Sequence, residues 1–285
     1  MITKFTFVSP RGSEMTMFGN DYFTLKAIDG FTLATADLGT VTVPFVDGDL
    51  ITNVQAMPRT VTAYLILRET KGIEAAKRYV LNYVKFKQVC KFHLEQDGRV
   101  IELEGTIESI DLPRFTDEGC IMAFTMHCSQ PYWRDVEYII AELSELLNLH
   151  FFPIESGGLA FPVEGIPFGA FDDDLTQELD NNGDVSTGVI ITIIASDTVI
   201  NPVILNAETG EYIGINDTLA SGDYVTINTI KGQKSITKNG ENVIDKIKEG
   251  STFLQLAAGE NYFTIAADSG VDSVHFEVAF KRLYV

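Results

Sequence analysis

The residues best suited to catalysis or metal binding are four histidines, and they are scattered along the chain. They are His93, His127, His150 and His275. A zinc site or a metalloprotease needs ligands at short, regular spacing, as in HxxxH or HExxH, and no such spacing occurs. His93 and His127 lie in segments that read as strands, which favours hydrogen-bonded sheet residues over ligands or bases. The sequence also lacks the GxSxG turn and the glycine-rich phosphate loops.

Two acidic runs could supply oxygen ligands for calcium. They are Asp172, Asp173 and Asp174, and the stretch DNNGD from Asp180 to Asp184. Neither has the DxDxDG spacing of a calcium loop, so the favoured interpretations are a solvated loop and a turn that enters a strand. We therefore expect no cofactor and no metal.

The chain has three cysteines, Cys90, Cys120 and Cys128. The number is odd and no CxxC pair exists, so a disulfide or metal role is the less favoured alternative. We expect reduced thiols buried in strands, with Cys120 and Cys128 on one face of the same strand.

The net charge of −19 is unevenly distributed. Residues 1–134 hold 14 basic and 16 acidic residues, whereas residues 135–285 hold 7 basic and 24 acidic residues, a net charge of −17. This balance disfavours nucleic-acid binding through a basic surface. The longest apolar run, residues 188–195, is far shorter than the ~20 residues that span a bilayer, and the N-terminus lacks a signal-peptide core. We expect a soluble protein made in a cytoplasm.

The first 133 residues are mostly strand-like, with one predicted helix. Apolar and β-branched residues fill residues 40–46, 59–69 and 120–128, and two alternating runs in residues 90–107 flank Asp97-Gly98, a dipeptide typical of tight hairpins. Residues 72–85 instead repeat apolar side chains every three or four positions, which predicts an amphipathic helix over a sheet. The pattern predicts a mainly β split barrel or sandwich with one helix.

The stretch from Gln130 to Trp133, QPYW, marks the end of this region. Pro131 cannot donate to a strand ladder, so we expect the strand to end there. Apolar residues from Val136 to Leu147 lie on one stripe, which predicts a second helix over 134–148. The glycine-, proline- and phenylalanine-rich residues 151–174 are expected to be an ordered connector. Pro131, Tyr132 and Trp133 are candidate residues of an interdomain seam, where the tryptophan fills a core; stacking on a sugar is the alternative.

Residues 175–285 read as many short strands separated by turn dipeptides. Asn182-Gly183, Thr209-Gly210, Asn239-Gly240 and Ser269-Gly270 punctuate the pattern. In the last strand Val274, Phe276, Val278 and Phe280 share one face. The pattern is typical of a jelly-roll β-sandwich.

An ordered set of motifs in the second half resembles the second domain of siphophage distal tail proteins. The set comprises GLAFPVEG (158–165), LDNNGDVSTGVIITI (179–193), NPVILNAETGEYIGIN (201–216), the strand pair in 222–243 that ends in Asn-Gly, and STFLQLAAGENYFTIAAD (251–268). The strand-rich first half that closes on a Pro-Tyr pair is similar to the first domain of that family. The helix predicted at 134–148 is longer than the resemblance leads us to expect.

The resemblance implies a structural protein of the virion, not an enzyme. Its first domain, 1–133, would form a hexameric ring that joins the tail-tube protein to the tail-associated hub protein. Its second domain, 175–285, would be a galectin-like sandwich that projects outward and carries receptor-binding or other baseplate proteins. The charge distribution agrees, because strongly acidic domains are better held apart at a periphery than packed around an axis.

Two other interpretations remain open from the residues alone. A free-standing carbohydrate-binding or adhesin module needs exposed aromatic residues on one face. A hydrolase on a β scaffold needs a pair of carboxylates about 5–9 Å apart. The sequence selects no such pair.

Overall fold

The computed structural model describes residues 2–142, apart from positions 32, 46, 97 and 118, and residues 176–285. The chain divides into two compact units. The first runs to Val136 and also contains Leu283–Val285, and the second is Glu137–Arg282. The described residues are predominantly strand, which confirms the predicted mainly β class. The predicted connector at 151–174, Asp172 to Asp174 and His150 all lie outside the described residues.

The first unit contains a large antiparallel sheet and a separate hairpin. Its strands are β1 (Ile2–Val8), β2 (Glu14–Thr16), β3 (Phe23–Asp29), β4 (Ala36–Thr42), β5 (Asp49–Ala56), β6 (Arg59–Leu67), β7 (Val89–Gln96), β8 (Arg99–Ile110), β9 (Arg114–Thr116), β10 (Gly119–Cys128), β11 (Trp133–Asp135) and, near the end of the chain, β25 (Leu283–Tyr284). The sheet order is β2-β1-β7-β8-β10-β6-β3, with β9 beside β10 and β11 between β8 and β25. Strands β4 and β5 form a two-stranded sheet of their own.

The predicted first helix is present as α1 (Ile73–Tyr83), preceded by a short 3-10 turn at Glu69–Lys71. Its apolar stripe places Ala76 and Val80 in the core, while Glu74 on the outer side pairs with Lys77 and Arg78. Amphipathic spacing therefore predicted both the helix and its buried face. No helix in the described part of the chain is long and apolar enough to cross a membrane.

The predicted hairpin around Asp97-Gly98 is confirmed by the strand register. Strands β7 and β8 pair antiparallel along their length, and the last pair before the connection is Gln96 with Arg99. Only two residues then link the strands, and Gly98 has φ +78°, a value that glycine adopts without a steric penalty.

The second predicted helix, 134–148, is wrong over the residues that the structure describes. Arg134 and Asp135 belong to β11, and residues 139–142 form another strand, β12 (Ile139–Glu142). Trp133 pairs with Tyr284, and Ile139 pairs with Phe280. These partners in β25 and β24 lie 135–151 residues away along the chain, which a local apolar stripe cannot reveal.

The core of the first unit is rich in aromatic side chains. Phe5, Phe7 and Phe92 are buried on β1 and β7, with ring centroids 5.2–5.4 Å apart. Trp133 is 7% exposed and meets the ring of Phe31 edge-on at 5.2 Å. Strand β11 is thereby fixed to the sheet by both its backbone and its tryptophan.

The second unit is a β-sandwich. Its remaining strands are β13 (Thr176–Asn181), β14 (Thr187–Ala195), β15 (Val199–Ile200), β16 (Val203–Asn206), β17 (Tyr212–Gly214), β18 (Thr218–Leu219), β19 (Tyr224–Asn228), β20 (Ser235–Lys238), β21 (Glu241–Asn242), β22 (Gln255–Leu256), β23 (Gly259–Ala266) and β24 (Val274–Phe280). One sheet has the order β12-β24-β14-β19-β20-β21, with β22 beside β14, and the facing sheet has the order β13-β23-β16-β17. A core drawn from both sheets lies between them, and its members from β24 are the four residues predicted to share a face.

Candidate functional site: the hairpin arm and the charged cluster

The separate hairpin of the first unit is the most unusual surface of the described chain. We call residues 36–56, which comprise β4, β5 and their turn, the hairpin arm. A β-bulge interrupts its register between Gly39 and Thr40. Two hydrogen bonds support the ribbon: Thr42 Oγ1 donates to Asp49 at 2.9 Å, and Thr52 Oγ1 donates to the Gly39 carbonyl at 3.0 Å.

Apolar side chains lie on both faces of the hairpin arm. Leu38 stands opposite Val54, and Val41 stands opposite Leu50. The extra residue of the bulge lies in β5, so β4 is regular from Leu38 to Val41. Because these two residues are three apart on a regular strand, their pairs point to opposite faces of the hairpin arm. All four side chains are 51–61% exposed. Covering both faces therefore requires contacts that the described residues of the chain do not supply.

The tip of the hairpin arm exposes an apolar residue, and the charged residues of the arm are all acidic. Phe45 at the tip is fully exposed and has φ +66°, which is rare for a bulky residue. The arm carries Asp37, Asp47 and Asp49 but no lysine or arginine. Isolated two-stranded hairpins are at best marginally stable in water, and large exposed apolar patches mark interaction sites. These features make the hairpin arm a candidate assembly surface.

A small cavity of about 140 Å³ lies beside the base of the hairpin arm. Leu33, Thr35 and Met57, which flank the arm in sequence, line it together with Arg59. Arg59 is 7% exposed, and its two terminal nitrogens have no hydrogen-bond partner among the described residues. Burial lowers the pKa of Arg59, although a guanidinium remains charged at any physiological pH.

A second site on the first unit is a cluster of charges around Glu102 on β8. The Glu102 side chain is 1% exposed; it accepts a hydrogen bond from Arg134 Nε at 2.7 Å and another from Lys91 Nζ at 2.9 Å. Arg134 also binds Glu104. The Nε2 atom of His93 lies 3.6 Å from Glu102, which is too long for a hydrogen bond, so this contact attracts only when the imidazole is protonated. The cluster borders an open pocket of about 630 Å³.

The pKa of Glu102 follows from the balance of burial and neighbouring charge. Burial alone would raise the pKa of this carboxyl, but the side chains of His93, Lys91 and Arg134 together outweigh burial and hold the pKa well below its usual range. A carboxylate that stays ionised is a poor general acid near neutral pH. The geometry therefore assigns Glu102 to holding β7, β8 and β11 together.

Acid should weaken the contribution of Glu102 to stability. Because its pKa is lowered on folding, that contribution is complete above about pH 4.5 and is lost as the pH falls below it. We expect Glu102→Gln to reduce the unfolding free energy by about 2–3 kcal/mol at pH 7. The difference from wild type should shrink between pH 5 and pH 3, as measured by urea unfolding at each pH.

The matched control is Glu14→Gln. Glu14 pairs with Lys4 at 3.3 Å, but both side chains are about half exposed, so the change should cost little at any pH. A Glu102→Gln difference that stays constant from pH 7 to pH 3 would contradict the role of its charge.

The other residues singled out in the sequence lie on several different elements. His127 is exposed on β10 and His275 lies on β24, while His93 joins the charged cluster. Pro131 lines the small cavity, Tyr132 is half-buried, and Trp133 is buried in the first core, where Phe31 covers its ring. Trp133 is thus too deeply buried to stack on a sugar. The role of these three residues at an interdomain seam stays a prediction.

The cysteines and the DNNGD run have structural surroundings. All three cysteines are free and buried, as predicted, and burial raises the pKa of each thiol. In the run, Asn181 Oδ1 accepts a hydrogen bond from the Gly183 amide and Asn182 donates to Asp180, which is the predicted turn next to a strand. In the described residues, no group of three or more His, Cys, Asp or Glu side chains could hold a metal ion.

Comparison with known proteins places this fold among phage tail components. Residues 182–284 match the family described as siphovirus-type tail component, C-terminal domain. The crystal structure of the Dit protein of phage SPP1, described as a paradigm of the hub adsorption apparatus in phages that infect Gram-positive bacteria, superimposes with a TM-score of 0.68 at 13% identity, covering 99% of this chain and 100% of that one. A chain of the phage P2 baseplate, in its activated conformation with calcium, matches with a TM-score of 0.51 at 9% identity, covering 99% and 98%. No curated protein sequence matches the chain.

The sandwich and the family match define a structural component of the siphophage tail and baseplate class. Residues 182–284 match the siphovirus-type tail component family, and the resemblance to siphophage distal tail proteins is confirmed. At these identities the likeness to the solved structures establishes a shared fold. The sequence motifs found the family but not the hairpin arm, whose only sequence signal is a strand-like, apolar run with no basic residue.

Proposed function

We propose that this protein forms a hexameric ring at the tip of a siphophage tail, with the first unit as the ring former. The hairpin arm is the observation that carries the proposal. It exposes Leu38 and Val54 on one face and Val41 and Leu50 on the other, so neighbouring copies on both sides could cover it. A surface that uses different faces toward its two neighbours is suited to a closed ring.

The proposed partners follow from the family. The ring joins the tail-tube protein to the tail-associated hub protein, and the second unit, as a galectin-like domain, carries receptor-binding or other baseplate proteins outward. The acidic residues concentrate in residues 135–285, which favours a peripheral position for that half. The protein acts in the virion without catalysing a reaction, and it is made and assembled in the cytoplasm of the bacterial host. It does not insert into membranes or read nucleic-acid sequence.

The mass of the intact protein across a concentration series tests the ring. We expect light scattering to show a hexamer, or a monomer that converts to a hexamer as concentration rises. A monomer at every concentration, with or without added tail-tube protein, would contradict the proposal.

The intact chain is needed for this measurement. A fragment that ends at Arg134 would lack β25, whose residues Leu283 and Tyr284 pair with β11. It would also lose the hydrogen bond from the Tyr284 hydroxyl to Asp135 at 3.0 Å. Failure of such a fragment to assemble would report damage to the first unit and not the division of roles between the units.

A further inference from the structure

The cavity at the base of the hairpin arm contains a buried cation that has no counterion among the residues the structure describes. The Nη1 and Nη2 atoms of Arg59 are sealed from solvent and lack a hydrogen-bond partner among the described residues. The described residues that line the cavity include no aspartate or glutamate. Leaving a buried charge unpaired costs free energy, so such an arginine signals a missing partner.

The titratable residue opposite Arg59 on the neighbouring strand cannot neutralise it. Cys128 stands directly opposite Arg59 in the β6–β10 register. Burial raises the pKa of Cys128 to about 12, and Arg59 offsets this only in part. The thiol is therefore neutral at physiological pH and leaves the charge of Arg59 uncompensated.

The shape of the cavity selects a small anionic group. A planar guanidinium presents paired donors that match the two oxygens of a carboxylate. The volume of about 140 Å³ is below the ~300 Å³ at which small-molecule pockets begin, so a side-chain carboxylate fits better than a whole ligand. Pro58 and Pro131 line the cavity, and Gly30 packs so tightly that a Cβ atom there would lie 2.0 Å from the Thr60 carbonyl oxygen.

We propose that the Arg59 cavity is a socket that receives a carboxylate side chain from a neighbouring copy of this chain. The inference rests on the proposed ring, because a copy that covers the hairpin arm also reaches the cavity between Thr35 and Met57 at the base of the arm. A second copy brings ample carboxylates, since the chain has 40 acidic and 21 basic residues. Pairing in the socket would make docking of the apolar arm specific, because a mispositioned neighbour leaves Arg59 buried and unpaired.

Arg59→Met tests the socket in the full-length protein. Methionine keeps the apolar stem and removes the charge. We expect association measured by sedimentation velocity to weaken about 30-fold or more, the loss typical of truncating one member of a buried ion pair. The melting temperature of the dilute, unassembled chain should stay equal or rise. Arg68→Met, at an exposed arginine just beyond the other end of β6, should change neither quantity.

Two results would overturn the socket while the ring stands. One is Arg59→Met assembling with the concentration dependence of wild type. The other is a lower melting temperature of the dilute Arg59→Met chain, which would mean that Arg59 is already paired within one chain.

Acetate separates failure of the socket from failure of the ring. At constant ionic strength, acetate in place of chloride should raise the melting temperature of dilute wild type but not of Arg59→Met. If wild type never self-associates, the ring fails. If acetate then still stabilises wild type but not Arg59→Met, the socket exists but a neighbouring copy is not its occupant. If acetate stabilises neither protein, the socket proposal is wrong as well.

Discussion

Polar substitution of the hairpin arm is expected to leave the protein monomeric at concentrations where wild type assembles. The variant carries threonine at Leu38, Val41, Leu50 and Val54. Threonine keeps a β-branched shape and a high strand propensity, so the ribbon should still form. These side chains are 51–61% exposed, so about half of each remains to be buried by a neighbour. At about 1 kcal/mol for each half-buried side chain, the change removes about 4 kcal/mol, or ~1000-fold in association constant.

The control also replaces exposed apolar side chains with threonine, but on a different surface. Ile140→Thr and Ile194→Thr replace side chains of the second unit that are 61% and 38% exposed. This control should assemble as wild type does, and both variants should melt within a few degrees of wild type. Unchanged assembly of the hairpin variant would exclude the arm from the contact between copies.

Local sequence patterns predicted the structure of a segment correctly wherever its hydrogen-bonding partners lie close in the sequence. The α1 stripe and the β7–β8 hairpin were readable because a helix bonds to itself and a hairpin bonds across two residues. Residues 134–142 were misread because β11 and β12 find their partners in β25 and β24, far along the chain. An apolar run this short has no period that separates strand from helix.

The sequence also did not reveal that the hairpin arm is exposed or that two charged side chains are buried. Residues 40–46 read as an ordinary strand, whereas β4 ends at Thr42 and forms with β5 a two-stranded sheet separate from the large sheet. Nothing in the sequence marks Glu102 and Arg59 as buried, yet both are more than nine-tenths buried. Their burial depends on β11 for Glu102 and on the base of the hairpin arm for Arg59, which are tertiary contacts.

Two buried asparagines explain one of the motifs that carried the family resemblance. In the stretch from Leu256 to Asn261, the Asn261 side chain is fully buried. Its Oδ1 atom accepts a hydrogen bond from the Ala257 amide at 2.8 Å, and its Nδ2 atom donates to the carbonyls of Gly259 at 2.8 Å and Ala257 at 3.0 Å. Asn181, also buried and donating to the Ala257 carbonyl, holds the turn from the other side. Asparagine is required because the turn presents both donors and acceptors.

Asn261→Asp should therefore destabilise the second unit strongly. The substitution keeps the shape of the side chain but turns its donor end into an acceptor that faces two carbonyl oxygens within about 3 Å. The unit must either bury a charge against those oxygens or protonate the carboxyl. We expect a loss of about 3–5 kcal/mol at pH 7, or roughly 10 °C in melting temperature.

Lower pH gives this prediction a specific signature. Protonation restores one donor, so the deficit of Asn261→Asp relative to wild type should shrink as the pH falls from 7 to 5, which thermal melting at each pH measures. Asn242→Asp is the matched control: this side chain is exposed, and its Oδ1 atom accepts from the Ile244 amide at 3.1 Å, a bond that a carboxylate keeps. A deficit for Asn261→Asp no larger than that of Asn242→Asp would mean that water or a backbone shift replaces the lost hydrogen bonds, and that the turn is held by its strands alone.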